Sequence, residues 1–368
     1  MKFYLIAGEA SGDLHGANLV HELKKKFPDA QFRGFGGDLM KAEGVHLTKH
    51  YRELAFMGFS EVLLNLRTIV KNFKTCKQDI LQFKPDAVIL IDYPGFNLRM
   101  AEFIHGAGIK VIYYISPQLW AWNESRVKTI RKYVDLMLVI LPFEKEFYAN
   151  HGMEVTFVGH PLLDAIGKNQ SVPQKFDKPV VAHLPGSRKQ EIKRMLPVML
   201  KMIHHFPEYE FVIAGAPSVP ESFYQSILKS QSVRIIFNQT YSLLKAAHAA
   251  IVTSGTATLE TALHDVPLMV CYSGNSWSYH LAKRLVKVNY ISLVNLIADK
   301  QIVKELIQQE MNEKNMREEL ERILKDEVYR NEMLRNFKHL KTLLGESGAS
   351  RRAAEKIAEV MPGKALHP

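Results

Sequence analysis

The chain has 368 residues, of which 47% are hydrophobic and 23% charged, with a formal net charge of +10 and a pI near 9.3. At ~100–200 residues per domain this describes a globular protein of about two domains and argues against a largely disordered chain. The two cysteines, Cys76 and Cys271, are far apart and lack Cys-x-x-Cys or Cys/His spacing, so neither a disulfide framework nor a structural zinc site is expected and a reducing compartment fits better.

The positive charge suits nucleic acid, an anionic lipid surface or a phosphorylated substrate, and charge alone does not choose among them. No zinc-finger or RNP pattern is present, nor a dense Lys/Arg run with interleaved aromatics, so nucleic acid is not an expected partner. The apolar run 3–7 is too short for the core of an export signal, and no stretch reaches the ~18–20 apolar residues that span a bilayer. A cytoplasmic location is the expectation.

In chain order, short apolar runs alternate with helix-like stretches, the pattern of parallel sheets with crossover helices. Strands are predicted at 3–7, 87–91, 110–115, 136–141 and 156–158, with helices at 16–27 and 126–133. A break follows Gly159-His160-Pro161, and 167–179 has the composition of a linker. A second series begins with strands at 180–184, 211–214, 233–237, 249–253 and 268–272. From Ile302 onward the chain reads as helical, with heavy Glu/Lys pairing over 305–332, until Gly345–Gly348 breaks it before a final helix at 350–361. The fold class predicted is α/β: two doubly wound Rossmann-like domains facing a cleft. The boundaries are 1–164, 165–345 and a terminal segment 346–368 packing back on the first domain.

Ligands of open α/β sheets collect where strands exit into helices. The first such junction is Gly8-Glu9-Ala10-Ser11-Gly12-Asp13-Leu14-His15-Gly16. Its glycines would let the backbone approach a ligand, and Ser11 or Asp13 could cap a helix. A tight turn explains those residues equally well, but a turn needs neither Glu9 nor His15. The second, Ile91-Asp92-Tyr93-Pro94-Gly95-Phe96-Asn97, puts Asp92 at the exit of a buried strand, where partial burial would raise its pKa and suit a general base. An Asx-turn carboxylate is the alternative. In the third, Ser116-Pro117-Gln118-Leu119-Trp120-Ala121-Trp122, the tryptophans form either a substrate-contacting wall or core.

In the second series, Leu184-Pro185-Gly186-Ser187-Arg188 offers helix-start amides and one arginine to a diphosphate. Ser254-Gly255-Thr256-Ala257-Thr258-Leu259-Glu260 adds a glycine, hydroxyls suited to phosphate, and Glu260 one turn into its helix, within reach of ribose hydroxyls. Either loop alone could be capping; the pair favours a nucleoside diphosphate. No Asp-x-Asp occurs, so leaving-group charge would fall to Arg188 and helix N-termini, with no metal or other cofactor called for.

Together with Leu141-Pro142-Phe143-Glu144, Val158-Gly159-His160-Pro161-Leu162, Lys287-Val288 and Ile291-Ser292-Leu293 with Asn295, these stretches resemble the lipid-A-disaccharide synthase family over nearly the whole chain. The resemblance implies a GT-B type, inverting, metal-independent glycosyltransferase. Its donor would be UDP-2,3-diacylglucosamine and its acceptor 2,3-diacylglucosamine 1-phosphate. A β-1,6-linked tetraacyl disaccharide 1-phosphate and UDP would be the products. It implies Asp92 as base on the acceptor 6-hydroxyl, with Glu9 and His15 beside it. Ser11, Gly12, Asp13 and Gln118 would join the substrate site. Gly186, Ser187, Arg188, Gly255, Thr256, Thr258, Glu260 and Asn295 would hold the UDP part. Val294 stands where the family pattern has proline, which loosens the expected geometry at Asn295.

Apolar residues at spacings of three and four over 54–73, with Arg52, Arg67, Lys71 and Lys74 interspersed, suit either a helix lying on an anionic inner-membrane surface or an amphipathic core helix. The loop Ala55-Phe56-Met57-Gly58-Phe59 fits the membrane better, and peripheral association and a homodimer are both compatible with the chain. Two rivals stand beside the transferase: an enzyme like UDP-N-acetylglucosamine epimerase, and a non-catalytic basic lipid or nucleic-acid binder. A nicotinamide enzyme would rest only on the partial glycine pattern Gly34-Phe35-Gly36-Gly37, placed after the second strand.

Overall fold

Runs of aliphatic residues buried on both faces become the inner strands of two parallel sheets, seen in a computed structural model that describes residues 1–54, 66–229, 231–274 and 288–361. The contacts divide the chain into two units, Met1–Asp164 with the stretch from Glu346, and Ala165–Gly345. In the first unit the strands are β1 (Lys2–Ala7), β2 (Gln31–Gly36), β3 (His46–His50), β4 (Ala87–Ile91), β5 (Lys110–Tyr114), β6 (Leu136–Val139) and β7 (Thr156–Phe157). They are ordered β3-β2-β1-β4-β5-β6-β7 and every pairing is parallel. In the second, β8 (Val180–Leu184), β9 (Glu210–Gly215), β10 (Arg234–Phe237), β11 (Ala247–Thr253), β12 (Leu268–Tyr272) and β13 (Glu305–Ile307) are ordered β10-β9-β8-β11-β12-β13. The α/β class and the two doubly wound series expected from the sequence are the ones observed.

Each sheet winds outward in both directions from its first strand, so the winding reverses between β1 and β4, and again between β8 and β11. Those reversals are where loops diverge and leave room for a ligand. Ala7 pairs with Ile91, and Leu184 with Val252, so at each reversal two exit loops start side by side.

The helix Ala349–Val360 belongs to the first unit and packs against the helix Ala10–Lys26, burying Ala353, Ala354 and Ile357. Its start is seated by one carboxylate: Asp164 accepts hydrogen bonds from the backbone N–H groups of Gly348, of Ala349 at 3.1 Å and of Ser350 at 2.9 Å. An anion there satisfies amides that a helix cannot bond itself and complements the helix dipole. Arg352 reaches the Val158 carbonyl at 2.8 Å, so the Gly159-His160-Pro161 stretch is the bed of this helix.

Several expectations change. The first helix starts at Ala10 rather than residue 16, and the helix Pro161–Lys168 runs into the expected linker. The chain after Ile302 is not uniformly helical: Glu305–Ile307 is the edge strand β13, followed by helices Glu313–Lys325 and Glu327–Leu344. Gly34 and Gly36 lie within β2, not after it, where Gly34 meets the Leu5 carbonyl. Of the 54–73 segment, Leu54 is buried and the helix Leu66–Phe83 packs inward through Cys76 and Ile80, with Phe73 stacked on Phe96 at 4.2 Å. Its other face exposes Arg67, Val70, Lys71 and Lys74. The 55–59 loop, Lys287 and the Trp122 side chain lie outside the described residues.

Candidate functional site

At the first reversal the chain leaves β4 through two consecutive non-glycine residues in the left-handed region, Asp92 (φ 45°) and Tyr93 (φ 49°). Such a conformation costs on the order of 1 kcal/mol or more per residue and persists only when its surroundings enforce it. Here the enforcement is a set of bonds on the Asp92 backbone. Its N–H donates to the Tyr114 carbonyl at 3.1 Å, and its carbonyl accepts from Asn97 Nδ2 and from the Tyr113 hydroxyl, each at 2.7 Å. Asn97 is fully buried and also donates to the Ile91 carbonyl at 3.2 Å. Pro94 then opens the helix Pro94–Gly106.

The Asp92 carboxyl takes no part in that clamp. Burial, and then the negative charge of Glu9, push its pKa from 3.8 up to about 7, against a lowering hydrogen bond from the Tyr93 N–H. Glu9 occupies the cap position of the helix Ala10–Lys26, but its side chain makes no cap bond. The β1 exit crosses the Tyr93 ring so closely that a Cβ on Gly8 would lie 2.3 Å from Tyr93 Cγ. The negative charge of Glu9 thus helps keep a proton on the Asp92 carboxyl near neutral pH.

Three further residues of these loops, Asp13, His15 and Trp120, are engaged elsewhere. Asp13 is buried, and its carboxylate accepts from the N–H groups of Gly37 (2.8 Å), Met40 (3.0 Å) and Leu39 (3.1 Å), so it anchors the turn after β2 rather than a substrate. The charged and titratable groups that bear on His15 are Asp164 and His160, not Asp92, and burial lowers its pKa to about 4. His15 is a neutral imidazole beside the seat of the Ala349–Val360 helix. Ser11 and Gln118 are exposed and Gly12 is buried against Ala7. Trp120 is core: its indole N–H donates to Glu144 at 3.3 Å and its ring meets Phe143 edge-on. Glu144, buried and raised to about 7 by desolvation, also accepts from the Ile140 and Leu141 amides.

At the second reversal Gly186, Ser187 and Arg188 lead into the helix Lys189–Met199 with Ser187 and Arg188 exposed. Glu191 reaches back to accept from the Ser187 N–H at 3.1 Å and pairs with Arg188 at 3.5 Å. Beside it, Gly255 adopts φ 155° and ψ −167°, a conformation open essentially to glycine alone, although a Cβ there would meet nothing within 4 Å. The requirement is conformational, and it leaves Gly255 and Thr256 exposed at the start of the helix Thr256–Leu263. Thr258 is buried and its hydroxyl donates to the Gly255 carbonyl at 2.8 Å, so it shapes the turn rather than facing outward. Glu260 is half-buried, raised by desolvation, and accepts from the Tyr241 hydroxyl at 3.3 Å.

Asn295 is also turned inward. It is fully buried; its amide donates to the Val303 carbonyl and to Glu305, and its oxygen accepts from the Ile302 and Val303 N–H groups, all within 2.8–3.0 Å. Glu305 in turn accepts from the Ser292 hydroxyl at 2.7 Å and the Ile291 N–H at 3.0 Å. Asn295 and Glu305 together lock the 291–295 turn onto β13. Asn295, expected at the nucleotide, makes these four bonds within its own turn and with β13.

A sequence profile described as lipid-A-disaccharide synthetase matches residues 3–360. The chain belongs to the lipid-A-disaccharide synthase family. It is 43% identical over 364 residues to the lipid-A-disaccharide synthase of Syntrophus aciditrophicus, covering 95% of each chain, and 37% identical over 374 residues to that of Myxococcus xanthus, covering 98% of each. Among solved structures it shares its fold with UDP-GlcNAc 2-epimerase from Neisseria meningitidis (TM-score 0.71, 14% identity, 98% of this chain and 100% of that one). The glycotransferase of kitacinnamycin is similar too (TM-score 0.67, 13% identity, 98% and 99%).

As a lipid-A-disaccharide synthase family member the chain is a glycosyltransferase of lipid A biosynthesis with the GT-B type of fold, and the family implies a UDP-sugar donor and a sugar acceptor. Among the described residues no helix is long and apolar enough to cross a membrane. Tyr113, Glu191, Glu305 and Tyr241 are features of this synthase-family chain that sequence reasoning passed over. Glu191 alone carried a signal, standing three residues after the cap Arg188 as in a capping box.

Proposed function

We propose that the enzyme joins UDP-2,3-diacylglucosamine to 2,3-diacylglucosamine 1-phosphate in one inverting, metal-independent displacement, giving the β-1,6-linked tetraacyl disaccharide 1-phosphate and UDP. The acceptor 6-hydroxyl oxygen attacks the donor's anomeric carbon while Asp92 takes its proton, and the bond to UDP breaks with the electron pair leaving on the diphosphate. The observation that carries this reading is the Asp92 carboxyl, fixed by its backbone at a sheet reversal and poised at about 7, the range in which a base is ionised at working pH yet still basic. Glu9 keeps that value high. Arg188 and the amides opening the helices Lys189–Met199 and Thr256–Leu263 meet the diphosphate charge, and Glu260 takes ribose hydroxyls. Asp13, Thr258 and Asn295 hold the loops that present these groups.

The test is UDP release from the donor, with and without acceptor, in EDTA, for wild type and Asp92→Ala. Acceptor-dependent release that survives EDTA and falls ~10²–10⁴-fold in the variant is expected. Release without acceptor would instead favour hydrolysis or an epimerase-type reaction.

Cytoplasmic, peripheral attachment to the anionic inner membrane is part of the same proposal, supported by the outward face of the helix Leu66–Phe83, where Arg67, Val70, Lys71 and Lys74 are exposed. At ~1 kcal/mol per cation near an anionic surface, reversing all three charges to Glu should weaken binding to phosphatidylglycerol vesicles by ~10²-fold or more. Unchanged binding would refute the attachment.

A further inference from the structure

The Glu260 carboxylate does not stand alone in its loop. The Tyr241 hydroxyl, from the helix Thr240–Ala246, donates to its Oε1 at 3.3 Å. The Tyr241 ring lies against the His264 ring with centroids 4.9 Å apart. His264 sits one turn beyond Glu260, and its Nδ1 is 2.8 Å from the Glu260 carbonyl, which can only accept, so Nδ1 carries the proton. Side chain to side chain, ring to ring and ring to backbone, the three residues close a triangle. Tyr241 and Glu260 are both half-buried, so the carboxylate is held without being sealed off.

We propose that Tyr241 is a positioning residue for nucleotide recognition, setting the plane of the Glu260 carboxylate so that its remaining acceptor positions meet the vicinal diol of a ribose. A carboxylate offers about four acceptor positions, and Tyr241 takes one. The other three can accept from two adjacent hydroxyls only if the group does not swivel. Burial pushes the Tyr241 hydroxyl up from its ordinary value, so it stays a donor throughout the physiological range. This proposal rests on the reading of Glu260 as the ribose-binding group.

The experiment is calorimetric titration of the full chain with UDP, 2′-deoxy-UDP and 3′-deoxy-UDP, for wild type, Tyr241→Phe, Glu260→Gln and the double variant, alongside donor KM and kcat. Tyr241→Phe should weaken UDP by about three- to tenfold while leaving the deoxy analogues nearly unchanged, so that the preference for the intact diol narrows. The donor KM should rise with kcat held within about twofold, the mark of a lost uniform binding interaction. The double variant should bind no worse than Glu260→Gln. Equal weakening of all three nucleotides, or an unchanged preference in Tyr241→Phe while Glu260→Gln loses it, would overturn the role of Tyr241 and leave Glu260 standing. An unchanged preference in Glu260→Gln would overturn the reading of Glu260 itself.

Discussion

Replacing Asp92 with Asn should produce an enzyme that is nearly inactive and yet more stable, by an amount that depends on pH. In the folded chain the Asp92 carboxyl titrates at about 7, against 3.8 for the unperturbed group. Between those values the folded state keeps a proton that the unfolded state has released, so folding is progressively disfavoured as pH rises through that window. The cost is absent below about 3.8 and complete above about 7. Three pH units at ~1.4 kcal/mol each give an upper bound of about 4 kcal/mol, and partial exposure of the residue reduces this to ~1–3 kcal/mol. Asparagine carries no charge to bury and tolerates the left-handed φ at this position at least as well as aspartate. For a unit of this size, ~2–4 °C per kcal/mol translates into a melting temperature several degrees above wild type at pH 8. The assay is thermal unfolding of both proteins from pH 5 to 8.5, with turnover measured in parallel. The stability gain should grow with pH and shrink towards pH 5, while kcat falls ~10²–10⁴-fold at pH 8 and by less towards pH 5, where the wild-type base is itself protonated. An equal gain at pH 5 and pH 8, or a loss at pH 8, would show that Asp92 is not a buried carboxyl held near neutrality, and the case for it as base would lose its footing.

In the second unit His183, fully buried in β8 with both ring nitrogens unpaired among the described residues, is lowered to about 3 by desolvation. Its neutral form is needed for folding, so stability is intact above about 6.5 and is lost as pH falls from there towards 3; His183→Leu should gain about 2–3 kcal/mol over wild type at pH 4.5, beyond any difference at pH 7.5, in urea unfolding. Asn295→Ala should lower the melting temperature through loss of its buried bonds, with nucleotide affinity falling as a consequence; lost UDP binding at an unchanged melting temperature would restore Asn295 as a direct contact.

What sequence reasoning could and could not see has physical causes. Strands such as β4 and β8 announce themselves because burial on both faces leaves nothing but small and aliphatic residues over five positions, His183 excepted. β2 was hidden by Gly34 and Gly36, which read as a partial glycine pattern following a strand, and β3 by the polar run His46–His50 at a sheet edge. β13 was absorbed into a Glu/Lys-rich stretch because Glu305 looks like a helix former, whereas it is the acceptor for Ser292 and Asn295. At the site the same limit applies residue by residue. A polar side chain after a strand faces either a ligand or its own backbone, and sequence does not distinguish the two. Asp92 and Glu9 are brought together, while Asp13, Thr258 and Asn295 are spent on amides and carbonyls of their own loops. The Tyr241–Glu260 contact joins residues nineteen apart through the fold and leaves no spacing to recognise.

The seat that Asp164 makes for the Ala349–Val360 helix also bears on the birth of the molecule. The second unit is an uninterrupted stretch, Ala165–Gly345, and has everything it needs to close its sheet as soon as it has emerged. The first unit, although made earlier, lacks the helix that covers Ala10–Lys26 until the whole of the second has been translated, ~10–40 s later at ~5–20 residues per second. Its last-arriving part is a short amphipathic helix rather than a strand, so the wait leaves one helix face uncovered while all seven strands of its sheet are already present. The part of the enzyme that carries Asp92 is therefore begun before the second unit and completed after it, and a nascent chain cut short between Gly345 and Ala349 would carry a completed second unit and a first unit still missing its cover.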